Sequence, residues 1–330
     1  MIKSILTSFK GLAIIFLLGL CLGFLFTFSF LDSLTGKALR DSPSQGSFES
    51  FTTTHGGLER SFDVYAPSTL SINSPSIFVF HGSYGKSEDM RWLTGYDFEY
   101  LAEEKGFLVV YPQGYKNFWN DCRASADYLA NLENIDDIGF FRKVVKIIVK
   151  DFKVDPAKII TTGISNGGHM MYKLALEAPE DVFIVAPLVA NLPVEENSDC
   201  TPSGRAVHMM IFNGTNDPIN PYHGGLVKLL GNSSRGSVLS SDDTYKYWVN
   251  LIGPVTEETF KYKERDGDIA TSVIRKQSRG EKVVALYTLV NSGHVIATPH
   301  TNLGNNYGGS AGDIITANEI FSLYEELSSR

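Results

Sequence analysis

The chain has 330 residues, of which 43% are hydrophobic and 20% are charged, and its net charge at pH 7 is −8. This length suits one large domain or two small ones, and this composition is ordinary for a globular protein with a sizeable core. Because the overall charge is negative, the sequence lacks the basic footprint of a nucleic-acid-binding protein.

Residues 1–31 differ from the rest of the chain. Lys3 and Lys10 precede an uncharged run, Gly11–Leu31, which as a helix would span about 31 Å, close to the hydrocarbon thickness of a bilayer. The run exceeds most signal-peptide cores, which favours an uncleaved signal anchor; a removed signal peptide and a buried core helix stay open as alternatives. Either of the first two sends the remaining chain across a membrane and keeps the N-terminus cytoplasmic.

Residues 32–50 are rich in serine, glycine and charge, which is typical of a linker or stalk. From residue 51 onward, strand-like runs alternate with helical patterns. Strands are predicted at Arg60–Pro67, Ser76–Phe80, Phe107–Tyr111, Ile159–Thr162, Phe183–Leu188, Val207–Phe212 and Val283–Leu289. Helices are predicted at Phe98–Lys105, Asp136–Phe152, Gly168–Leu176, Asp242–Leu251 and Ala317–Leu327. The alternation predicts one α/β domain at 51–330, with a mostly parallel sheet covered by helices on both faces.

The sequence Gly163-Ile164-Ser165-Asn166-Gly167 has the spacing G-x-S-x-G. A β-branched strand precedes it and a helical stretch follows, which is the context that a nucleophile elbow requires. The glycines permit a strained turn that would expose the Ser165 hydroxyl above the sheet. Ser165 is therefore the predicted nucleophile; a tight turn with a structural serine is the alternative.

An activated serine also needs two backbone N–H groups aimed at the developing oxyanion. One is predicted from Asn166, the residue after the nucleophile. The other is predicted from Ser83 or Tyr84, in the loop His81–Gly85 that follows the Ser76–Phe80 strand. The alternative for this loop is a plain turn at the end of a strand.

The acid and the base are expected after Ser165 in chain order. Asp217 directly follows the Val207–Phe212 strand, and His294 follows the last strand, so these two are the predicted acid and base. Asp217 could instead be a turn residue before proline. The rivals considered and set aside are Asp242, Asp243, Asp268, His169, His208, His223 and His300.

The metal and cysteine patterns are simple. The sequence contains no H-E-x-x-H, no paired C-x-x-C and no phosphate loop, so neither a metal nor a cofactor is predicted. Cys21 lies in the apolar run, which leaves Cys122 and Cys200 in the exported part. In an oxidising compartment such a pair readily forms a disulfide; two buried free thiols are the alternative.

Several ordered segments together carry a family resemblance: FHGS at Phe80–Ser83, YPQG at Tyr111–Gly114, WNDCR at Trp119–Arg123, IDDIGFFRKVV at Ile135–Val145, VDPAKIITTGISNGGHMMYKLA at Val154–Ala175, NGTNDPINPYHGG at Asn213–Gly225 and Gly293-His294. The chain resembles the polyhydroxybutyrate depolymerase and feruloyl esterase family of secreted α/β-hydrolases. The resemblance covers roughly 47–327.

The resemblance implies an α/β-hydrolase fold and hydrolysis of small or oligomeric carboxylic esters outside the cytoplasm, by a Ser165-Asp217-His294 triad. It implies that Trp119 lines the substrate cleft, although core or rim packing is open, and that Cys122 pairs with Cys200. His81 is also predicted to contact substrate. Around the base, the usual GGGHTWPG is replaced by NSGHVIA at 291–297, and no polymer-binding module is recognised, so soluble or cell-wall esters are expected rather than a solid polyester.

Two other functions compete with this interpretation. A catalytically inactive protein of the same fold could serve as a binding protein, but the intact Ser, Asp and His positions argue against it. A serine peptidase shares the elbow, but no propeller-like domain precedes the predicted domain.

Overall fold

The computed structural model describes residues 37–253, 256–262, 272–279, 282–303, 307–309 and 312–330. The predicted apolar segment 1–31 and Asp268 lie outside these residues. Within the described ranges, no helix is both long enough and apolar enough to cross a membrane.

A ten-stranded sheet organises the described part of the chain. Its strands are β1 (Ser47–His55), β2 (Leu58–Ala66), β3 (Ser76–Phe80), β4 (Leu108–Pro112), β5 (Ile159–Ile164), β6 (Ile184–Leu188), β7 (His208–Gly214), β8 (Thr256–Lys261), β9 (Ser272–Arg279) and β10 (Lys282–Leu289). Two short antiparallel pairs lie outside this sheet, Lys37–Ala38 with Thr301–Asn302 and Gly225–Leu226 with Ser237–Val238.

The strand order is β8-β9-β10-β7-β6-β5-β3-β4-β2-β1. The strands from β10 to β4 in this order pair in parallel, and an antiparallel pair of strands flanks them at each edge. The predicted mostly parallel sheet is therefore confirmed. From β3 the chain runs first to β4 on one side and then to β5 on the other, which makes the carboxyl ends of β3 and β5 a topological switch point, the usual place for a ligand crevice.

Helices cover both faces of the sheet. They are α1 (Asp89–Leu93), α2 (Asp97–Lys105), α3 (Leu129–Leu132), α4 (Asp137–Phe152), α5 (Asn166–Glu177), α6 (Ser241–Ile252) and α7 (Thr316–Ser328), with 3₁₀ turns at Pro179–Asp181 and Glu195–Asn197. Alternate β3 residues contribute to opposite cores: Ile77 and Val79 pack with α2 and α7, whereas Phe78 and Phe80 pack with α4, α5 and α6. This alternation is the two-residue period of a strand buried on both faces.

The segment predicted as a linker is attached to the domain in its described part. β1 begins at Ser47 and pairs with β2 along its whole length, and Arg40 forms an ion pair with the buried Asp97. The sequence of β1, SFESFTTTH, is mostly polar because the strand lies at a sheet edge with partly exposed side chains. It therefore lacks the apolar pattern that predicts strands such as β3 and β5.

Candidate active site

Ser165 lies at the sharp turn between β5 and α5. Its φ is 57° and its ψ is −118°, a conformation that non-glycine residues rarely adopt. The turn is closely packed: a Cβ on Gly163 would lie 2.8 Å from the Gly167 carbonyl, and one on Gly167 would lie 2.6 Å from the carbonyl oxygens of Phe80 and His81. The two glycines of the motif are therefore required by the close approach of helix, strand and neighbouring loop.

Backbone hydrogen bonds hold Ser165 in this conformation. Its amide donates to the Leu188 carbonyl at 2.9 Å, and its own carbonyl accepts from the His169 amide at 2.8 Å. Ser165 is half-buried, and its hydroxyl makes no hydrogen bond to the described residues. The hydroxyl is thus presented at the switch point without a competing partner.

Asp217 and His294 form a buried pair at the same edge of the sheet. Asp217 follows β7 and His294 follows β10, and His294 Nδ1 donates to Asp217 Oδ2 at 2.7 Å. The other carboxylate oxygen accepts from the amides of Ile219 and Asn220 at 2.8 and 2.9 Å. The two amides fix the carboxylate, and the carboxylate in turn fixes the imidazole. Because Nδ1 donates to Asp217, Nε2 is the ring nitrogen left for proton transfer.

The rival residues have other environments. His300 Nδ1 contacts Asp97 at 2.7 Å, His208 lies buried within β7, and His223 is exposed. Asp242 and Asp243 lie in the first turn of α6, where Ser240 caps the Asp243 amide. These rivals are paired with other groups, buried within an element or placed at the start of a helix.

The predicted oxyanion donors differ in availability. The amides of Ser83 and Asn166 make no hydrogen bond within the described ranges, whereas the Tyr84 amide donates to the Asn117 carbonyl at 3.0 Å. A Cβ on Gly82 would lie 3.3 Å from Ser165 Cβ, so this loop directly adjoins the nucleophile. Of the two alternatives for the loop donor, the geometry favours Ser83.

The structure differs from the prediction at two expected substrate contacts, because His81 and Trp119 have no exposed surface. Trp119 packs against the rings of Phe80 and His81, with centroids 4.7 and 5.0 Å away, and its Nε1 donates to the His81 carbonyl at 2.9 Å. The alternative of core packing is therefore the one observed for Trp119.

His81 holds its own loop. Its Nε2 accepts from the Gly114 amide at 2.9 Å and its Nδ1 donates to the Gly82 carbonyl at 2.7 Å. Burial lowers the pKa of His81 from its usual value of 6.5 to about 4, outweighing the Gly82 carbonyl, which favours the charged form. The imidazole is thus neutral at pH 7 and fixes the turn that presents Ser83.

The Asn166 side chain has a role that the sequence analysis did not foresee. Its Oδ1 accepts from the Trp119 amide at 2.8 Å, and its Nδ2 donates to Asp121 Oδ2 at 2.7 Å. Asp121 is also bound by Arg123 at 2.6 Å and by the Tyr128 hydroxyl at 2.5 Å. We call Trp119, Asp121, Arg123, Tyr128 and Asn166 the elbow network.

The electrostatics of the elbow network are balanced. Burial by itself would raise the pKa of Asp121, but the Arg123 guanidinium and its hydrogen bonds hold that pKa well below the usual range. Burial likewise opposes the charge of Arg123, whose pKa is nevertheless raised by Asp121. The ion pair is therefore retained inside the protein, where it anchors the residue that follows the nucleophile.

A disulfide braces the same segment. Cys122, between Asp121 and Arg123, is bonded to Cys200, with Cα atoms 5.0 Å apart. This is the pairing predicted from the sequence.

Aromatic rings extend from the oxyanion loop to the elbow network. The Tyr84 ring, 58% exposed, meets Phe118 edge-on with centroids 4.7 Å apart, and Phe118 stacks on Tyr128 at the same distance. Of these three rings, Phe118 and Tyr128 are buried, whereas the Tyr84 ring, next to Ser83, is exposed.

Comparisons with known proteins agree with this architecture. No protein-family model matches the chain. It is 25% identical over 171 residues to the bifunctional acetylxylan esterase/xylanase XynS20E of Neocallimastix patriciarum, which covers 50% of this chain and 22% of the relative. It is 24% identical over 186 residues to feruloyl esterase B of Piromyces equi, covering 54% and 33%. The chain thus spans a third or less of the length of these two relatives.

Among solved structures, the acetyl xylan esterase from Aspergillus awamori superimposes with a TM-score of 0.52 at 16% identity, over 76% of this chain and 95% of that one. A likeness at this identity establishes the fold. The chain has the α/β-hydrolase fold.

Proposed function

We propose that this α/β-hydrolase-fold protein is a serine esterase that hydrolyses carboxylic esters through Ser165, Asp217 and His294. The observation that carries the proposal is the buried hydrogen bond between His294 and Asp217 at 2.7 Å, at the sheet edge where Ser165 adopts its strained conformation. The relatives named as acetylxylan and feruloyl esterases support the same chemistry.

In the proposed reaction, Ser165 Oγ attacks the ester carbonyl while His294 Nε2 accepts its proton. Asp217 holds the imidazole in the required tautomer and stabilises the imidazolium. The amides of Asn166 and Ser83 donate to the oxyanion of the tetrahedral intermediate. The intermediate expels the alcohol, which takes the proton from His294, and water then hydrolyses the acyl-enzyme by the same sequence of steps.

The proposed substrates are small or oligomeric esters of the acetyl, feruloyl or polyhydroxybutyrate type. The proposed location is outside the cytoplasm, with the chain either secreted or held at the membrane by residues 1–31. The Cys122–Cys200 disulfide supports this location, because such bonds persist in oxidising compartments.

The test is hydrolysis of 4-nitrophenyl acetate and butyrate by the full chain. We expect Ser165→Ala to lower kcat by at least about a thousandfold, since the nucleophile is lost while the fold remains. A fluorophosphonate probe should label Ser165 in the wild-type chain and leave Ser165→Ala unlabelled.

Ser203→Ala is the matched control, since Ser203 is exposed and far along the chain from the elbow. It should retain both hydrolysis and labelling. Equal hydrolysis by wild type and Ser165→Ala would refute the esterase proposal. A larger acceleration over the uncatalysed rate for matched 4-nitroanilides than for esters would replace it with a peptidase.

A further inference from the structure

Four buried side chains near the candidate active site have polar atoms without a partner in the described ranges. They are Nδ1 of His169, both amide atoms of Asn220, Nε and Nη1 of Arg235, and Oγ of Ser292. We call these residues the unpaired cluster. Arg235 is the most unusual member, because it is a cation that is only 3% exposed and forms no ion pair with any described carboxylate.

Arg235 lies beside the elbow network. Its guanidinium carbon is 5.9 Å from the centroid of the Tyr128 ring, and the Tyr128 hydroxyl contacts the Asn166 side chain at 3.1 Å. One side chain, that of Tyr128, therefore separates Arg235 from Asn166, the residue that follows the nucleophile.

The loop of Arg235 also reaches the acid. The Val227 amide donates to the Gly236 carbonyl at 3.0 Å, and the next amide, of Lys228, donates to the Ile219 carbonyl at 3.1 Å. Ile219 and Asn220 are the residues whose amides bind Asp217. The loop thus lies against the segment that orients the acid, and Asn220 brings a second unpaired polar side chain to this region.

His169 gives an independent indication of proximity. Burial, and then the positive charge of Arg123, lower the pKa of His169 well below its usual value; His294 and Arg235 act in the same direction, against Asp121. His169 lies one turn after Ser165 in α5. Arg235 and the base His294 therefore both lie near enough to lower the pKa of His169, in the helix that begins after the nucleophile.

A buried guanidinium without an anion is costly, because taking a charge out of water is compensated only by a partner charge and hydrogen bonds. Arg123, in the same region, has such a partner in Asp121. Arg235 presents an equivalent fork of N–H donors, which matches a carboxylate in shape and charge. The missing partner is thus expected to arrive with a ligand.

We propose that Arg235 is a specificity-determining residue that binds a carboxylate carried by the ester substrate, close to the scissile bond. This inference rests on the proposed esterase function and adds a substrate class to it: anionic esters, with the free carboxylate on either the acyl or the alcohol part. Asn220 supplies further hydrogen-bonding groups to the same part of the substrate.

The experiment compares matched anionic and neutral esters with the full chain. For the acyl part, the pair is mono-4-nitrophenyl glutarate and 4-nitrophenyl valerate; for the alcohol part, it is 4-acetoxybenzoate and its methyl ester. Each kcat/KM is divided by the rate constant of the hydroxide-catalysed reaction. We expect the anionic ester to be preferred in at least one pair, and Arg235→Met to lower that preference about 10- to 100-fold, the usual effect of a hydrogen bond to a charged group.

Lys228→Met is the matched control, because it removes the same charge from an exposed position in the same loop and should leave the preference unchanged. Arg235→Lys should retain part of the preference, since it keeps the charge but not the fork. If Arg235→Met does not fold, the Lys variant decides, together with competitive inhibition by glutarate or benzoate, which should weaken in that variant.

The inference is overturned if wild type shows no preference in either pair, or if Arg235→Met lowers anionic and neutral rates equally. Ser165-dependent hydrolysis of the neutral esters would leave the esterase proposal intact in that case. If no ester is hydrolysed, thermal stabilisation by glutarate or benzoate that depends on Arg235 still supports a carboxylate site, and its absence rejects one.

Discussion

The elbow network and the unpaired cluster are both buried groups of polar side chains, but their polar atoms are satisfied to different extents. Asp121, Arg123 and Asn166 bind one another, so each charge and each amide has a partner. Asn220, Arg235 and Ser292 are equally buried but have polar atoms with no partner in the described ranges. The contrast suggests that the elbow network holds the nucleophile turn rigid, whereas the unpaired cluster gains hydrogen-bond partners from a bound ligand.

The largest loss of stability is expected when a carboxylate is removed from the elbow network. Asp121→Ala would leave the Arg123 charge buried without compensation, and we expect the free energy of unfolding to fall by about 3–5 kcal/mol. Urea unfolding at pH 7 with the disulfide intact measures this loss.

Asp127→Ala provides the comparison, because Asp127 is exposed on the same loop and, among the described residues, its carboxylate accepts only from Ser234, at 2.6 Å. Its loss should stay below about 1 kcal/mol. Similar losses for the two variants would mean that the elbow network contributes no more than a surface contact.

A smaller loss of stability is expected in acid, from His81, which is buried beside Trp119 of the elbow network. The pKa of His81 is 6.5 in the unfolded chain, whereas burial lowers this pKa to about 4 in the folded chain. The contribution of His81 to stability is therefore complete above pH 6.5 and is lost as the pH falls to about 4, by about 3 kcal/mol.

Unfolding measured from pH 7 to pH 4 should show this decline, and His81→Gln should make it smaller while lowering stability at neutral pH. Part of the decline should remain, because burial also lowers the pKa values of His169 and His208. His223→Gln is the control, since the exposed His223 side chain should leave the profile unchanged. A His81→Gln profile as steep as that of wild type would contradict the assignment.

The smallest effect is expected from the unpaired cluster. Ser292→Ala removes a buried hydroxyl that has no partner in the described ranges, so stability should stay the same or rise by up to about 1 kcal/mol. Ser241→Ala should instead lower the free energy of unfolding by about 0.5–1.5 kcal/mol, because the buried Ser241 hydroxyl accepts from Asn213 at 2.9 Å and donates to Asn191 at 3.1 Å. If both variants lose stability equally, Ser292 has a partner and the contrast weakens.

Much of the fold could be predicted because the buried parallel strands are short apolar runs. SIFVF is fully buried, and its apolarity is visible in the sequence. The strands that escaped prediction, β1, β8 and β9, belong to the antiparallel edges and have polar or charged sequences such as TEETFK. A strand with one exposed face or edge lacks the signal on which the prediction depends.

The chemistry of the site was predictable only where chain order and strand ends specify it. Ser165, Asp217 and His294 each follow a strand, and parallel strands bring such residues to one edge. The burial of Trp119 and His81 could not be predicted, because burial depends on tertiary packing that a motif does not reveal. Arg235 was missed since a lone arginine in the serine- and glycine-rich sequence GNSSRGS is typical of an exposed loop.

The disulfide has a consequence for the covalent topology of the chain. It joins residues 78 positions apart, and the closed ring contains β5, Ser165 and α5, whereas Asp217 and His294 lie outside it. A single protease cut inside the ring leaves both pieces covalently joined. A cut at the exposed turn around Leu230, the kind of loop tip that proteases prefer, would leave the nucleophile and the base on separate polypeptides held together only by noncovalent contacts.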